Sequence, residues 1–194
     1  MDLHEPFRCP WCLGDRDYQQ YHDTEWGTPL RDDKALFSLL VLEGAQAGLS
    51  WITILKRRQG YLAAMDNLDP DKIARYTDVD ILRLMQDGRI IRNRRKIESA
   101  ITNARAFLTM QEKGVTFSHW LWNWVDGQPI INHWERLFEI PAQTALSEKI
   151  SKELVQKGFS FVGPTIVYAY MQSAGLVNDH LTDCYRYKEL IFGA

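Results

Sequence analysis

Hydrophobic residues recur at three- and four-residue spacing along most of the chain, which is the pattern of amphipathic helices. Acidic residues begin segments of this kind, and glycines end several of them, as at Gly114 and Gly158. No repeat, low-complexity stretch or strand hairpin interrupts the pattern. It predicts an all-α fold in a single compact domain over residues 1–194, with helices within residues 32–48, 50–65, 69–76, 77–88, 92–114 and 144–158.

Composition narrows the class of protein. The chain has 194 residues, of which 45% are hydrophobic, so it can bury a core without disulfides. Its formal net charge of −2 excludes a globally basic nucleic-acid binder but allows a local basic face. No apolar run reaches membrane-spanning length, and the first residues do not have the layout of a signal peptide. We therefore expect a soluble, cytoplasmic, monomeric protein with no membrane partner.

All three cysteines lie near the chain ends, and two histidines lie beside them. His180 and Cys184 are four residues apart, which places them on one face if the segment is helical. Cys9 and His22 offer the other two ligands of a tetrahedral Cys2His2 zinc site, with Cys12 as an alternative to Cys9. Four protein ligands leave no position for water, so such a zinc would be structural and would join the two ends. Ordinary buried thiols and surface histidines would give the same spacing.

Residues 157–175 have the pattern of a helix end, a short loop and a new helix. Gly158 ends the first helix, and Pro164 suits the first position of the second. The backbone N–H groups near Gly163 and Thr165 then have no helical partner and can hold a phosphate oxygen. Such a helix–hairpin–helix binds DNA through the phosphate backbone without reading bases, although a plain helical corner has the same pattern.

A carboxylate lies on the most apolar of the predicted helices. Glu43 shares a face with Leu40 and Ala47 at helical spacing. An acid in that position costs several kcal/mol unless it is paired, hydrogen-bonded or open to a cavity. Pairing with an arginine or a helix N-terminus is the more common solution, so the position alone does not establish a ligand site.

Aromatic residues flank this helix in the sequence. A carboxylate beside flat aromatic walls suits a planar, electron-poor or cationic ligand, which stacking and cation–π attraction would hold. Aromatic residues at helical spacing also form ordinary cores, so both interpretations stand at this point. The residues concerned are Tyr18, Tyr21, Trp26 and Trp51.

Four long motifs resemble the 3-methyladenine DNA glycosylase I (Tag) family. They are YHDTEWGTP, LFSLLVLEGAQAGLSWITILKRR, GRIIRNRRKIESAITNARAF and KGFSFVGPTIVYAYMQSAGLVNDH, in this order. The similarity runs from about Cys9 to Cys184, which is almost the whole chain. The resemblance implies a helix–hairpin–helix DNA glycosylase fold, with that motif at about residues 147–174, and a structural zinc site. The family's ligands match Cys9, His22, His180 and Cys184, and Cys9 is preferred to Cys12 because it begins a C-x-W motif.

The resemblance also implies roles for the residues singled out above. Glu43 takes the catalytic position, where it recognises the base by hydrogen bonding, and Leu49 with Gly48 contacts the gap in the duplex. The implied activity is hydrolysis of the N-glycosidic bond of 3-methyladenine in alkylated double-stranded DNA, with an abasic site and free 3-methyladenine as products and no lyase step. Asp179 lies near the catalytic aspartate position of the wider superfamily, which this family is thought to lack. The base pocket corresponds to Tyr18, Tyr21, Trp26 and Trp51.

Overall fold

The computed structural model describes residues 6–193, and this part of the chain is mostly helical, as the sequence predicts. Short 3-10 turns join several of the helices, and a pair of two-residue strands is present besides. No helix within residues 6–193 is both long and apolar enough to cross a membrane. The helices are α1 (Arg16–Thr24), α2 (Asp33–Gln46), α3 (Trp51–Leu55), α4 (Arg58–Ala64), α5 (Pro70–Ile73), α6 (Asp78–Gln86), α7 (Arg94–Glu112), α8 (Phe117–Trp122), α9 (Ala145–Gln156), α10 (Pro164–Ser173) and α11 (Tyr185–Phe192).

Helix α2 lies at the centre of the fold. The Asp32 side chain caps it by accepting a hydrogen bond from the backbone N–H of Ala35, 2.8 Å away. Its apolar residues, including Leu36 and Leu40, are completely buried. Helices α3, α7, α8 and α10 pack around it. A helix surrounded in this way is apolar on nearly every side, so a charged residue on it lies inside the protein unless a cavity reaches it.

The hydrophobic pattern of residues 50–65 predicts one helix, but the segment forms two helices. Helix α3 ends at Leu55 and α4 begins at Arg58. In a continuous helix Arg58 would share the buried face of Trp51 and Leu55. The break at residues 56–57 instead lets Arg58 form a two-pronged ion pair with Glu25, in which Arg58 Nη2 lies 2.9 Å from Glu25 Oε1. The charge is thereby kept out of the apolar core.

Helices α9 and α10 meet at residues 157–163, which we call the α9–α10 loop. Thr144 and Ser147 form a reciprocal capping box at the start of α9, and Pro164 occupies the first turn of α10, as the sequence predicts. Ser151 in α9 donates a hydrogen bond to the Val162 carbonyl, 2.7 Å away, and so fastens the loop to its own helix. The two helices therefore form one rigid corner beside α2.

A parallel pair of short strands joins the segment after α8 to the segment after α10. Strand β1 (Ile130–Ile131) pairs with β2 (Val177–Asn178), with Ile130 opposite Val177. Two-residue strands have no alternating pattern, so the sequence gives no signal for them. Their effect is to fix the segment after α10, which carries Asp179 and His180.

Candidate active site and cysteine–histidine cluster

A cavity of about 200 Å³ opens between α1, α2, α3 and α10. The structure brings the four residues of the predicted base pocket and Glu43 to its wall, although they come from three separate helices and the segment after α1. Trp11, Gln46, Ile140, Ala169, Gln172 and Ser173 complete the lining. The volume suits one planar bicyclic ring system rather than an extended ligand. The five residues are Tyr18, Tyr21, Trp26, Glu43 and Trp51.

Glu43 lies at the base of this cavity, in the last turns of α2, and only 1% of its surface is exposed. Its Oε1 accepts a hydrogen bond of 2.6 Å from the Ser173 hydroxyl. Burial raises the pKa of Glu43 to about 8, although the Ser173 hydrogen bond opposes the shift. The carboxyl is therefore mostly protonated at neutral pH, and an approaching cation would favour its charged form.

Three buried polar atoms of the cavity wall have no hydrogen-bond partner within residues 6–193. They are Glu43 Oε2, the Tyr21 hydroxyl and Trp51 Nε1. A buried polar atom without a partner costs about 1–3 kcal/mol, and native structures contain few of them. Three of the four such side-chain atoms in the described chain belong to residues that line one cavity. This arrangement indicates a site that is completed by the polar edge of a ligand.

The aromatic rings form a tilted wall rather than a parallel stack. The rings of Trp11 and Tyr18 lie 4.8 Å apart at 60°, and those of Trp11 and Trp26 lie 5.0 Å apart at 71°. Tyr21 and Trp51 meet at 5.5 Å and 45° on the other side. Tilted contacts of this kind fix each ring in place while leaving ring faces available to a flat ligand.

Two of the six wall residues that the sequence did not predict contact the predicted ones directly. Trp11 was noted only as part of the C-x-W motif, although its ring contacts both Tyr18 and Trp26. Ser173 ends α10 and holds the Glu43 carboxyl, and a lone serine at a helix end carries no sequence signal. The sequence does carry a signal for Trp11 as a pocket residue, because it is aromatic and lies between Cys9 and Cys12 of the candidate metal-binding motif.

Gly48 and Leu49 lie in residues 47–50, which we call the α2–α3 loop. Gly48 has a φ of +77°, a conformation that favours glycine, and turns the chain sharply after α2. Leu49 is 40% exposed, which is unusual for a leucine beside a buried core. The residues on either side of the loop, Gln46 and Trp51, both line the cavity. Leu49 therefore protrudes next to the pocket without contributing to its wall.

Gly163 and Thr165 lie away from the cavity, at the start of α10. Gly163 is the N-cap of that helix, and Thr165 is exposed, with its hydroxyl 3.4 Å from Gln143 Oε1. The C-terminal turn of the same helix carries Gln172 and Ser173, which line the cavity. Helix α10 thus runs from the predicted phosphate contact to the pocket, a distance of about 13 Å at 1.5 Å per residue.

The four predicted metal ligands come together in a completely buried cluster. One potential ligand atom from each of Cys9, His22, His180 and Cys184 lies within 4.8 Å of the others. The sulfur of Cys9 lies 3.7 Å from His180 Nδ1, the sulfur of Cys184 lies 3.4 Å from His22 Nε2, and the two nitrogens are 3.2 Å apart. A tetrahedral zinc with ordinary Zn–S and Zn–N bonds requires edges of about 3.3–3.8 Å. The donor set fits such an ion, and these three distances lie close to the required edges.

The outer nitrogen of each histidine in this cluster has an acceptor. His22 Nδ1 lies 2.8 Å from the Asp23 carboxylate, and His180 Nε2 lies 3.0 Å from the Trp26 carbonyl. Partners of this kind orient a metal-binding imidazole and fix its tautomer. The Cys9 thiol, followed by the two histidines, also lowers the pKa of the Cys184 thiol against the effect of burial. The same contact raises the pKa of the Cys9 thiol, so the two sulfurs share one proton, and the Cys184 thiolate and the oriented imidazoles are the forms that bind a metal.

Two details of the predicted cluster are settled by the geometry. Cys12 lies outside it, because its thiol is turned away and donates to the Cys9 carbonyl at 3.1 Å. The expectation that His180 and Cys184 share a helix face is wrong. Residues 179–184 lie between β2 and α11, where Cys184 is only the cap of α11. The strand pair and the turn bring these side chains together instead.

Asp179 has no capacity for chemistry in this arrangement. Its two carboxylate oxygens accept four hydrogen bonds of 2.6–2.8 Å, and only 1% of the residue is exposed. A buried carboxylate with four donors is fully hydrogen-bonded and held in place. The donors are Asn132, Trp134, Tyr168 and Gln172.

Comparison with known proteins identifies the class and then the family. Residues 11–187 match the methyladenine glycosylase family. DNA-3-methyladenine glycosylase 1 of Escherichia coli (strain K12) is 49% identical over 177 residues, which cover 91% of this chain and 95% of the relative. The chain is therefore a glycosylase, an enzyme that hydrolyses N-glycosyl compounds. It belongs to the methyladenine glycosylase family, which confirms the predicted family and enzyme class.

Solved structures agree with this assignment. A crystal structure of 3-methyladenine DNA glycosylase I (TAG) is 48% identical and superposes with a TM-score of 0.91, covering 92% of this chain and 98% of the other. A variant of 3-methyladenine DNA glycosylase I in complex with 3-methyladenine is 39% identical, with a TM-score of 0.89 over 92% and 96% of the two chains. The fold described above is therefore the fold of that glycosylase.

Proposed function

We propose that this chain is a DNA repair glycosylase that hydrolyses the N-glycosidic bond of 3-methyladenine in alkylated double-stranded DNA, as the first step of base excision repair. The products are free 3-methyladenine and an abasic site, and no lyase step follows. The observation that carries this proposal is the Glu43 carboxyl, which is buried in the wall of an aromatic cavity and has no hydrogen-bond partner for Oε2. The relative that was solved with 3-methyladenine supports the identity of the base.

The chemistry follows from the charge of the substrate. Methylation at N3 gives adenine a positive charge, which weakens the glycosidic bond and makes the base a good leaving group. The Glu43 carboxyl is mostly neutral in the empty pocket, because burial raises its pKa to about 8. A cationic base favours the carboxylate, which then accepts a hydrogen bond from the base and stabilises its charge. Trp51, Tyr21 and Trp26 supply the stacking surface.

Access to the bond requires the nucleotide to leave the duplex. Leu49 protrudes beside the pocket, and it fills the space that the extruded base leaves in the stack, with Gly48 close to the DNA backbone. Gly163 and Thr165 bind phosphate at the start of α10, so α9, the α9–α10 loop and α10 act as a helix–hairpin–helix. A methylated base pairs poorly and is easier to extrude than adenine, so selectivity begins at this step.

The cysteine–histidine cluster holds a structural zinc in this proposal. All four positions of a tetrahedral ion are taken by Cys9, His22, His180 and Cys184, so no position is left for water. The ion contributes no chemistry to hydrolysis. It fastens the segment before α1 to the segment after β2.

The direct test is release of the free base. Purified protein is incubated with methylated duplex DNA, and the released bases are separated and quantified by chromatography. We expect 3-methyladenine to appear, with strands that break only after alkali treatment cleaves the abasic sites. A protein that binds this DNA and releases no 3-methyladenine would contradict the proposed activity. Strand breaks without alkali would contradict its monofunctional character alone.

A further inference from the structure

Helix α7 holds the α2–α3 loop through a lysine in its first turn. Lys96 Nζ donates hydrogen bonds of 2.8 Å to the Ala45 carbonyl and 2.7 Å to the Ala47 carbonyl. These carbonyls end α2, where the helix dipole favours a cation. Lys96 is half-buried, and this partial loss of water lowers the pKa of its ammonium. The carbonyls that it binds immediately precede Gly48.

The same helix holds the α9–α10 loop through an asparagine. Asn103 is 2% exposed, and its Oδ1 accepts from the Ser160 backbone N–H at 2.7 Å. Its Nδ2 donates to the Ser160 carbonyl at 3.0 Å, so one amide satisfies both backbone groups of one residue. The next residue, Phe161, has a φ of +54°, which is strained for a side chain of that size. The Asn103 clamp stabilises the loop at its most strained point.

These two side chains share one face of α7. Lys96 and Asn103 are seven residues apart, which is two helical turns and about 10.5 Å along the axis. The last turns of α2 also lie against the α9–α10 loop, because a Cβ added to Gly44 would lie 3.5 Å from the Phe161 Cβ. Helix α7, the end of α2 and the α9–α10 loop therefore form a closed triangle of contacts. Its size is fixed by one rigid helix.

We propose that Lys96 and Asn103 are positioning residues that set the separation of the α2–α3 loop from the α9–α10 loop. The inference rests on the proposed function, in which the first loop places Leu49 in the stack and the second precedes the phosphate contact of Gly163. A wedge and a phosphate contact engage one duplex together only when their spacing matches the spacing of the DNA. Neither positioning residue touches the base.

The test compares affinity for DNA with affinity for the base. Lys96→Met and Asn103→Ala are made singly and together in the full-length protein. The DNA probe is a duplex with a tetrahydrofuran abasic-site analogue, and free 3-methyladenine is titrated separately. We expect each single variant to lose about tenfold in duplex affinity, because misplacing one contact group by about 1 Å is enough for such a loss. Binding of the free base should change by less than about twofold, since the pocket is intact.

The double variant distinguishes positioning from two independent contacts. If both residues set one spacing between the loops, replacing either residue already disrupts that spacing. The double variant should then bind the duplex no more weakly than the single variant with the lower affinity. Losses that multiply in the double variant would overturn the proposal. Lys96→Arg, which keeps a cation with several N–H donors, should retain most of the affinity.

A matched control is available on the same helix. Arg105 also donates from α7 to backbone carbonyls, those of Ala74 at 2.9 Å and Tyr76 at 3.4 Å, but it holds the end of α5. Arg105→Met should leave duplex affinity unchanged. If Lys96→Met and Asn103→Ala bind the duplex as tightly as Arg105→Met does, the proposal is wrong. Failure of the proposed function is separate, since it appears as wild-type protein that releases no 3-methyladenine.

Amide hydrogen exchange keeps the proposal testable if the double variant does not fold. In Lys96→Met, faster exchange should be confined to residues around 47–50, and in Asn103→Ala to residues around 157–163. Exchange that rises evenly over the whole chain would mark a general loss of stability and would overturn the positioning role.

Discussion

Glu43 shows how a single residue can be suited to its ligand at the expense of the fold. Its carboxyl is buried with one hydrogen bond from Ser173, which does not offset the cost of burial. The pocket is therefore least stable when it is empty and gains most from a cationic, planar guest. In the proposed function, selectivity for a charged base over neutral adenine would follow from the same imbalance, because only the charged base stabilises the carboxylate.

Replacement of this carboxyl should separate base recognition from DNA binding. We expect Glu43→Gln to reduce the single-turnover rate of excision by about 100-fold, because a neutral amide does not stabilise the cation in the transition state. Affinity for undamaged duplex should remain within about twofold, since Glu43 is enclosed in the pocket. The exposed Glu112→Gln is the control. Equal losses of excision and of duplex affinity would argue against the assigned role.

The raised pKa of Glu43 also predicts how stability depends on pH. The folded state holds this proton more tightly than the unfolded state, whose pKa is near 4.5. Its contribution to the free energy of unfolding is complete below pH 4.5 and is lost as pH rises towards about 8. By pH 7 the loss is about 3 kcal/mol.

Glu43→Gln removes the titrating carboxyl, so this variant is the reference for the pH dependence of the wild-type free energy of unfolding. Urea unfolding of wild type and variant from pH 5 to pH 8 should show the variant gaining on wild type as pH rises. Subtracting the variant removes contributions from other titrating groups. A difference that is constant with pH would show that Glu43 does not titrate in this range.

At the scale of secondary-structure elements, much of the fold is readable from the sequence because local chemistry determines it. Thr144 and Ser147 cap α9 and Pro164 begins α10, as their types and spacing predict. Glu43 is buried because its position on α2 requires it. The break between α3 and α4 was not predictable in this way, since it depends on Glu25, which is distant in sequence from Arg58.

Some residues of the candidate site are likewise predictable from local sequence, and others depend on tertiary contacts. The five pocket residues were found because aromatic rings and a buried acid are conspicuous, and they do line one cavity. Ser173 and Lys96 were not assigned a role, because each acts through a contact with a residue more than 45 positions away. Contacts of that kind depend on how helices meet, which no local pattern encodes. The roles of the residues in binding remain predictions.

The α2–α3 loop gives a prediction at this scale. Leu49→Ala shortens the exposed side chain and should reduce excision from duplex DNA by about tenfold, because less of the vacated stack is filled. Excision from methylated single-stranded DNA should be unchanged, since no stack has to be filled. Single-turnover rates on both substrates provide the measurement. Leu82→Ala, at another exposed leucine, is the control. A loss that is equal on both substrates would contradict the wedge role.

At the scale of the whole molecule, contacts between segments distant in sequence hold the first and last described segments together. The Tyr185 backbone N–H donates to the Phe7 carbonyl at 3.0 Å, and the buried cluster joins Cys9 and His22 to His180 and Cys184. Contacts between residues this far apart in sequence are expected to form late in folding, because closing a long loop costs conformational entropy. A metal bound by these four side chains would offset this entropy cost, because the complete site exists only in the folded protein.

Metal content and stability should therefore fall together. Cys9→Ala should lose bound zinc, measured by mass spectrometry of the purified protein, and should lower the melting temperature by about 10 °C or more. Cys12→Ala is the matched control, because this buried thiol lies three residues away and outside the cluster. It should retain the metal. Full retention of zinc by Cys9→Ala would show that the ligand set is wrong.

Trp26 belongs to both centres of the molecule. Its carbonyl accepts from His180 Nε2 at 3.0 Å, its ring lies 4.6 Å from the His180 ring, and the same indole lines the cavity above Glu43. Damage to the cluster, for instance by oxidation of its thiols, would therefore shift a wall of the pocket. Because this indole touches both centres, we expect its fluorescence emission to respond to a base in the cavity and to a change at the cysteine–histidine cluster.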